Sequence, residues 1–337
     1  VYSDMVKRKA QIVNDLYEIL TSEPQTNRFY WNKSVGFRSE LEFSRKCVKE
    51  NKSVLDGGMF IFKKTFPQIA CYVTVSKDSK EDYTKFYDQI SKSSITKKLF
   101  FVQFKGWSEN DTEINVKSGT TVTFDRNTLG TPKVNSNNPK DAAKQKKELK
   151  KIITPIFDYF EYSTDSNWSQ SKLDDIKSFL GSENMSRVGS RKENFLDYLK
   201  NYSDDEVESI YCNRFFFDIL LGDIPKGMSD IDKIIFDDGK YVIVEVKNKT
   251  PFYAENHPDD LTKSNFGWDT RRLAWFLFLK GDTGLDVLYV VAHINDTKER
   301  KILSWKKITI GHWCNCTSWG GDTAGTQMTP YEQFSDF

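Results

Sequence analysis

The sequence predicts a mixed α/β fold, and three observations carry that prediction. Short β-branched or aromatic runs bounded by polar turns recur along the chain: MFIFKK, IACYVTVS, KLFFVQF and TTVTF between Gly58 and Phe124, then Ile231–Phe236 and Tyr241–Lys247. Between and around them lie stretches with apolar residues at helical spacing. In the C-terminal half the order is β-hairpin, helix, strand, the order of a mixed sheet flanked by helices.

Composition sets the frame. The 337 residues are 38% hydrophobic and 29% charged, as in ordinary soluble proteins, and suffice for two domains. No run of about eighteen apolar residues suggests a membrane span. The first residues, VYSDMVKRKAQ, lack the apolar core of a signal peptide, and five cysteines do not make a disulfide framework. A reducing cytoplasm is the expected location. The formal net charge of +1 hides an asymmetry. Residues 1–150 hold 27 Lys+Arg against 18 Asp+Glu, and the remainder 22 against 30. A basic half joined to an acidic half suggests that one part meets a polyanion and the other holds cations.

The expected organisation is an N-terminal α+β domain over residues 1–140, basic and suited to DNA recognition, followed by a C-terminal domain over 141–337. Helices are predicted over Met5–Leu20, Phe37–Lys49 and Lys80–Ile95. Asn127–Asp141, rich in Asn, Pro and Gly, reads as a linker. A lysine-dense helix is predicted over Ala142–Phe160, with Lys144, Lys146 and Lys147 on a face that either is solvated or meets phosphate. Further helices are expected at Leu173–Leu180, Arg191–Asn201, Asp204–Leu221 (Ser203 as N-cap) and Thr270–Leu279. Strands are expected at Asp286–His293 and Lys301–Ser304.

The chemistry concentrates in GMSDIDKIIFDDGKYVIVEVKNKTP, residues 227–251. Asp238-Gly239 is a strong two-residue hairpin turn. It pairs Asp237 with Lys240, Ile235 with Val242 and Ile234 with Ile243, and the same ladder sets Asp232 opposite Glu245 on one face. Lys247 shares that face, while Val242, Val244 and Val246 point the other way. Two facing carboxylates repel, and a divalent cation is the simplest compensation. Carboxylate oxygens suit Mg²⁺, and two of them with a lysine are what metal-assisted phosphodiester hydrolysis requires. The alternative is an ordinary exposed hairpin end with Asp230 paired to Lys247.

Asp232, an apolar strand, a turn, a second apolar strand and Glu245-Val246-Lys247 together resemble the PD-(D/E)XK, or restriction-endonuclease-like, nuclease superfamily, closest to its nuclease-related and Holliday-resolvase-like forms. The resemblance covers about 25 residues in the motif and extends over Ser203–Ile294 with its flanking helices. It implies a restriction-endonuclease-like core in which Asp232, Glu245 and the Val246 carbonyl bind Mg²⁺, with Mn²⁺ able to substitute, and Lys247 positions the attacking water. Ile231 replaces the family's proline, which makes Asp230 a rival for the metal role. Members often carry an acidic residue on the helix before the first core strand. Glu208 is the candidate, with Glu206 and Glu193 as rivals.

Weaker signals remain. His312, Cys314 and Cys316 form an incomplete zinc set. Ser318–Gln327 is a Gly/Thr-rich stretch that either approaches DNA or is a surface turn. Arg271 and Arg272, after the catalytic strand, are candidate phosphate contacts. The reading is a Mg²⁺-dependent DNA endonuclease of the type II restriction kind, acting on double-stranded DNA as a homodimer. A Holliday-junction or repair nuclease and an inactive DNA-binding protein of the same fold are the alternatives.

Overall fold

The computed structural model describes residues 11–12, 15–16, 27–62, 69–108, 110, 112–116, 122–123, 133–134, 148–165, 167–180, 202–221, 228–253, 260–295, 301–318 and 325–337. It is a mixed α/β structure built on two six-stranded sheets. In chain order the first half comprises α1 (Asn27–Lys49), β1 (Val54–Asp56), β2 (Gly58–Phe62), β3 (Ile69–Ser76), α2 (Lys80–Ile90) and β4 (Thr96–Trp107). Then come β5 (Thr112–Val116), β6 (Val122–Thr123), β7 (Lys133–Val134), β8 (Glu148–Ile152), β9 (Pro155–Ser163), β10 (Asn167–Ser171) and α3 (Leu173–Leu180). The second half comprises α4 (Asp204–Arg214), continued by a π-helical turn to Leu220, β11 (Met228–Asp230), β12 (Lys233–Asp237), β13 (Lys240–Lys249), β14 (Phe252–Tyr253) and β15 (Ser264–Asp269). It ends with α5 (Thr270–Thr283), β16 (Asp286–Ile294), β17 (Ile302–Thr309), α6 (Ile310–Cys316), β18 (Thr326–Pro330) and β19 (Ser335–Asp336).

The sheet that matters for function runs β1-β12-β13-β16-β17-β19. Its pairs are antiparallel except β13–β16, which is parallel and reached through α5. The hairpin ladder has the register expected from the Asp238-Gly239 turn, with Ile234 opposite Ile243 and Lys233 opposite Val244. Both turn residues have positive φ, 47° and 76°, as a two-residue hairpin loop demands. The second sheet runs β10-β9-β4-β3-β2-β11.

The two sheets share a ribbon. β1 and β2 belong to different sheets and are joined by Gly57, and β11 and β12 are likewise joined through Ile231 and Asp232. At the crossing, Gly57 N–H donates to the Asp232 carbonyl and Ile231 N–H to the Gly58 carbonyl. A Cβ on Gly57 would stand 1.8 Å from the Ile231 carbonyl oxygen, so only glycine admits this approach. The expected domain boundary at residue 140 lies outside the described residues, and strands from either side of it pair in both sheets: β1 with β12, and β11 with β2.

Packing follows the pleat. Val244, Val246 and Ile235 lie against Phe43 and Cys47 of α1. Ile234, Ile243 and Tyr289 face the other way, into an aromatic core that includes Trp275 and Phe276 of α5 and Tyr83, Phe86 and Tyr87 of α2. Helix α5 is fixed at both ends: the Asp269 carboxylate accepts from Arg271 and Arg272 N–H, and Gly284 closes the C-terminus at φ 70°.

One expected element is overturned. Residues 148–160, the described part of the lysine-dense helix predicted over Ala142–Phe160, fall instead in strand β8 and in β9, which runs on to Ser163. PIFDYFEYS alternates in a strand's period, and its pairing with β4 outweighs the helical propensity of the preceding lysine run. Lys144, Lys146, Lys147, the helix Arg191–Asn201, Glu193 and most of the Met5–Leu20 helix and the Asn127–Asp141 linker lie outside the described residues.

Candidate active site

Asp232 leaves the crossing just ahead of β12, and its Oδ2 accepts from the Val246 N–H at 2.7 Å. Lys247 Nζ lies 3.3 Å from the same oxygen and 2.5 Å from Glu245 Oε1. Asp232, Glu245 and Lys247 therefore meet at one end of the β12–β13 hairpin. The face that carries them is not open, unlike the exposed hairpin end of the alternative reading. Helix α5 covers it, and the Glu245 side chain has no exposed surface.

Arg272 is the reason Glu245 tolerates that burial. Its guanidinium pairs with Glu245 Oε2, with Asp230 Oδ1 and, at 3.0 Å, with the Asp230 carbonyl. Two expectations change here. Arg272 is committed to carboxylates within the site rather than presented to phosphate, whereas Arg271 beside it is exposed. Asp230 does not continue the hairpin opposite Lys247; it ends β11 in the other sheet, and its partner is Arg272. The chain bends at Ile231 and breaks the ladder between the two aspartates.

The side-chain partners of Glu208 lie elsewhere. Its carboxylate pairs with Lys77 and accepts from Trp107 Nε1 at 2.7 Å. Glu206 is spent on the Ser203 capping box and on Arg45. Another acid, which the sequence reading did not name, lies near Asp232: Glu40, which lines the same cavity. In chain order the first strand of the sheet that carries Asp232 and Glu245 is the three-residue β1, and the helix before it is α1. Glu40 sits on α1, half-buried, and Asp232 is the charged group that acts on it most strongly. VLD is too short to read as a strand from sequence, so nothing local drew attention to the helix before it.

The electrostatics fit a site built for added positive charge. Burial, then the neighbouring Glu245, lifts the Asp232 carboxyl to about 7. Burial and Asp232 likewise hold Glu40 well above the ordinary carboxylate range. Burial disfavours the Lys247 ammonium, yet Asp232 and Glu245 prevail and raise it. Glu40, Asp56, Asp205, Ser209, Asp232 and Lys233 line one cavity of about 360 Å³. On its wall Asp56 is neutralised by Lys233 at 2.6 Å and accepts from Ser209 at 2.9 Å.

A carboxyl whose folded pKa exceeds its unfolded value of about 4 binds more protons folded than unfolded between those values. Stability of the metal-free protein is therefore expected to fall as pH rises from about 4 to about 7, the value for Asp232, with Glu40 acting in the same direction. The melting temperature against pH, measured in EDTA, checks this. The slope should flatten in Asp232→Asn, and a wild-type melting temperature that rises over the window contradicts the account.

Among the described residues no three His, Cys, Asp or Glu side chains already surround a single point as metal ligands do. The donor chemistry nevertheless suits a hard cation: carboxylate oxygens of Asp232, Glu245 and Glu40. Glu245 Oε1 is buried and makes no hydrogen bond, its contact with Lys247 being off hydrogen-bond geometry. The incomplete zinc set does not assemble. His312 Nε2 lies 3.5 Å from Cys316 Sγ, and both meet Gln333, while Cys314 packs against the aromatic core. In the Ser318–Gln327 stretch, residues 319–324 lie outside the described residues. No helix among the described residues is long and apolar enough to cross a membrane. No family model matches the chain, and no curated protein and no solved structure matches it either.

Proposed function

We propose that this chain is a divalent-cation-dependent endodeoxyribonuclease with a restriction-endonuclease-like core, cutting double-stranded DNA at specific sites as a homodimer, in the manner of type II restriction enzymes. One observation supports this above all. Asp232, Glu245 and Lys247 converge at one end of a mixed sheet whose order of elements is helix, strand, antiparallel hairpin, crossover helix, parallel strand, and Glu40 faces the same aspartate from the first helix.

Mg²⁺, held by Asp232, Glu245 and Glu40, and by the Val246 carbonyl as the resemblance implies, would polarise the scissile phosphoryl group and make water a better nucleophile. The chain's own groups do the rest. The Val246 N–H fixes the Asp232 carboxylate. Arg272 supplies the counter-charge for buried Glu245 and ties it to the crossing at Asp230. Lys247, kept protonated by the two acids, orients the attacking water and offsets charge gathering on the phosphoryl oxygens. The cover of α5 keeps bulk water from Glu245.

Incubation with plasmid and Mg²⁺, with an EDTA control, tests the reading. Discrete fragments support it, and a smear points to a non-specific nuclease. Preference for a four-way junction identifies a junction nuclease. Binding without cleavage identifies an inactive DNA-binding relative of the fold, and absence of both cleavage and binding overturns the reading.

The placement of Glu40 is separately testable. Glu40→Gln is expected to weaken Mg²⁺ activation by at least about tenfold, because it removes a candidate ligand beside Asp232. Glu208→Gln should keep cleavage and lose only part of its pairing with Lys77. Cleavage rate against Mg²⁺ concentration for both proteins decides; the reverse ranking would restore Glu208.

A further inference from the structure

The catalytic strand carries one more cation than the catalytic set uses. Glu245, Lys247 and Lys249 alternate onto the same face of β13. Lys247, Arg272 and Lys233 each have carboxylate partners. Among the described residues, Lys249, half-buried, has no carboxylate within ion-pair distance. Its surroundings are unfavourable to a cation. Lys247 lies two residues away on the same face, and the neighbouring strand places the buried His293 beside it in register. Asp269, which with Glu245 acts favourably on the Lys249 ammonium, already spends its carboxylate on the first N–H groups of α5. Burial, then repulsion by Lys247, lowers the Lys249 ammonium to about 8.

A half-buried cation with no counter-charge costs free energy, and a site that keeps one beside a phosphodiesterase centre is arranged for an anion that arrives from outside. Lys247 faces the reacting phosphate in the proposed function, and a strand advances about 3.3 Å per residue. Lys249 therefore stands some 6 to 7 Å further along β13, about the separation of successive phosphates on one nucleic-acid strand.

We propose that Lys249 is a phosphate-binding residue that holds the backbone phosphate next to the scissile one and so sets the substrate strand in register with Lys247. The proposal rests on the nuclease reading for its substrate, but not for the anion site itself. Lys249 acts here as a positioning residue, through its grip on the non-reacting part of the substrate.

The experiment has two arms, both on the full chain. In the first, a labelled duplex is titrated in Ca²⁺ at several salt concentrations with wild type, Lys249→Ala and Lys249→Arg. Loss of one phosphate contact should reduce the slope of log affinity against log salt by about 0.9, with Lys249→Arg restoring it. Under turnover with Mg²⁺, Lys249→Ala should raise KM several-fold more than it lowers kcat. In the second arm, inorganic phosphate is the probe. It should raise the melting temperature of wild type and of Lys249→Arg, but not of Lys249→Ala. The substitution itself should leave the phosphate-free melting temperature unchanged or higher, since it removes an unpaired charge.

A wild type that responds to phosphate but neither binds nor cuts DNA sinks the nuclease reading and leaves the anion site standing. A Lys249→Ala protein with wild-type salt slope and wild-type response to phosphate overturns the proposal. So does a wild type that responds to neither probe.

Discussion

Lys247→Met and Glu245→Gln are expected to reduce Mg²⁺-dependent cleavage by at least about 100-fold while duplex binding in Ca²⁺ persists. Lys247 touches both Asp232 and Glu245, so its charge sits where a phosphoryl group would add negative charge. Methionine keeps the stem and removes that charge. Glutamine keeps the shape of Glu245 and a carbonyl oxygen, but loses the anion that a cation requires. Ca²⁺ separates binding from turnover because it accepts longer and looser coordination than Mg²⁺. The choice of substitution matters. Alanine at either position looks harmless on an exposed hairpin, but Glu245 is wholly buried and opposes Arg272 and Lys247. Glu245→Ala would take one carboxylate from each of two cations, leaving Lys247 with Asp232 and Arg272 with Asp230, and is expected to cost about 3 kcal/mol, the usual order for breaking a buried pair. Single-turnover cleavage, equilibrium binding and urea unfolding on the four proteins check this. Cleavage by Lys247→Met at a wild-type rate would remove Lys247 from the mechanism.

What the sequence made legible was local. A two-residue turn with alternating apolar residues fixes register, because a slip of one residue would turn every core side chain outward. The Asp232–Glu245–Lys247 grouping therefore followed from the Asp238-Gly239 turn. Helix α4 was legible from Ser203 and the acids behind it, through a capping box that is present. What escaped was long-range. Nothing local marks VLD as the edge strand of the sheet that carries Asp232 and Glu245, since three residues carry no periodicity and their partner in β12 lies far along the chain. With β1 unseen, the sequence reading looked for the acid on α4, at Glu208, and did not consider Glu40 on α1. The cover of α5 over Glu245 was illegible for a related reason. TRRLAWFLFLK is apolar around most of its circumference, and the hairpin sequence does not say which helix returns over which face. The arginine that looked free for phosphate is held by tertiary contacts that no spacing rule encodes.

The comparison of Asp232→Asn with Asp230→Asn should give the widest separation between two neighbouring carboxylates. Asp232 is 7% exposed, accepts from Val246 N–H and shares Lys247 with Glu245. Asparagine can keep the Val246 hydrogen bond through its carbonyl oxygen, so the fold should survive, while the charge needed to hold a cation is gone. Cleavage is expected to fall below detection. Without metal, near pH 8, the melting temperature should stay level or rise, because burial and Glu245 both disfavour the Asp232 anion. Asp230 is half exposed, at the end of β11. Its ion pair with Arg272 is worth about 0–1 kcal/mol at such exposure. Moreover, Arg272 also bonds the Asp230 carbonyl oxygen, which the substitution leaves in place, so Glu245 keeps its partner. Asp230→Asn should therefore retain cleavage within a few-fold of wild type. Cleavage rate against Mg²⁺ concentration, measured on both variants, decides between them. A dead Asp230→Asn beside an active Asp232→Asn would move the cation to the other sheet's strand and break the link between the hairpin register and the chemistry.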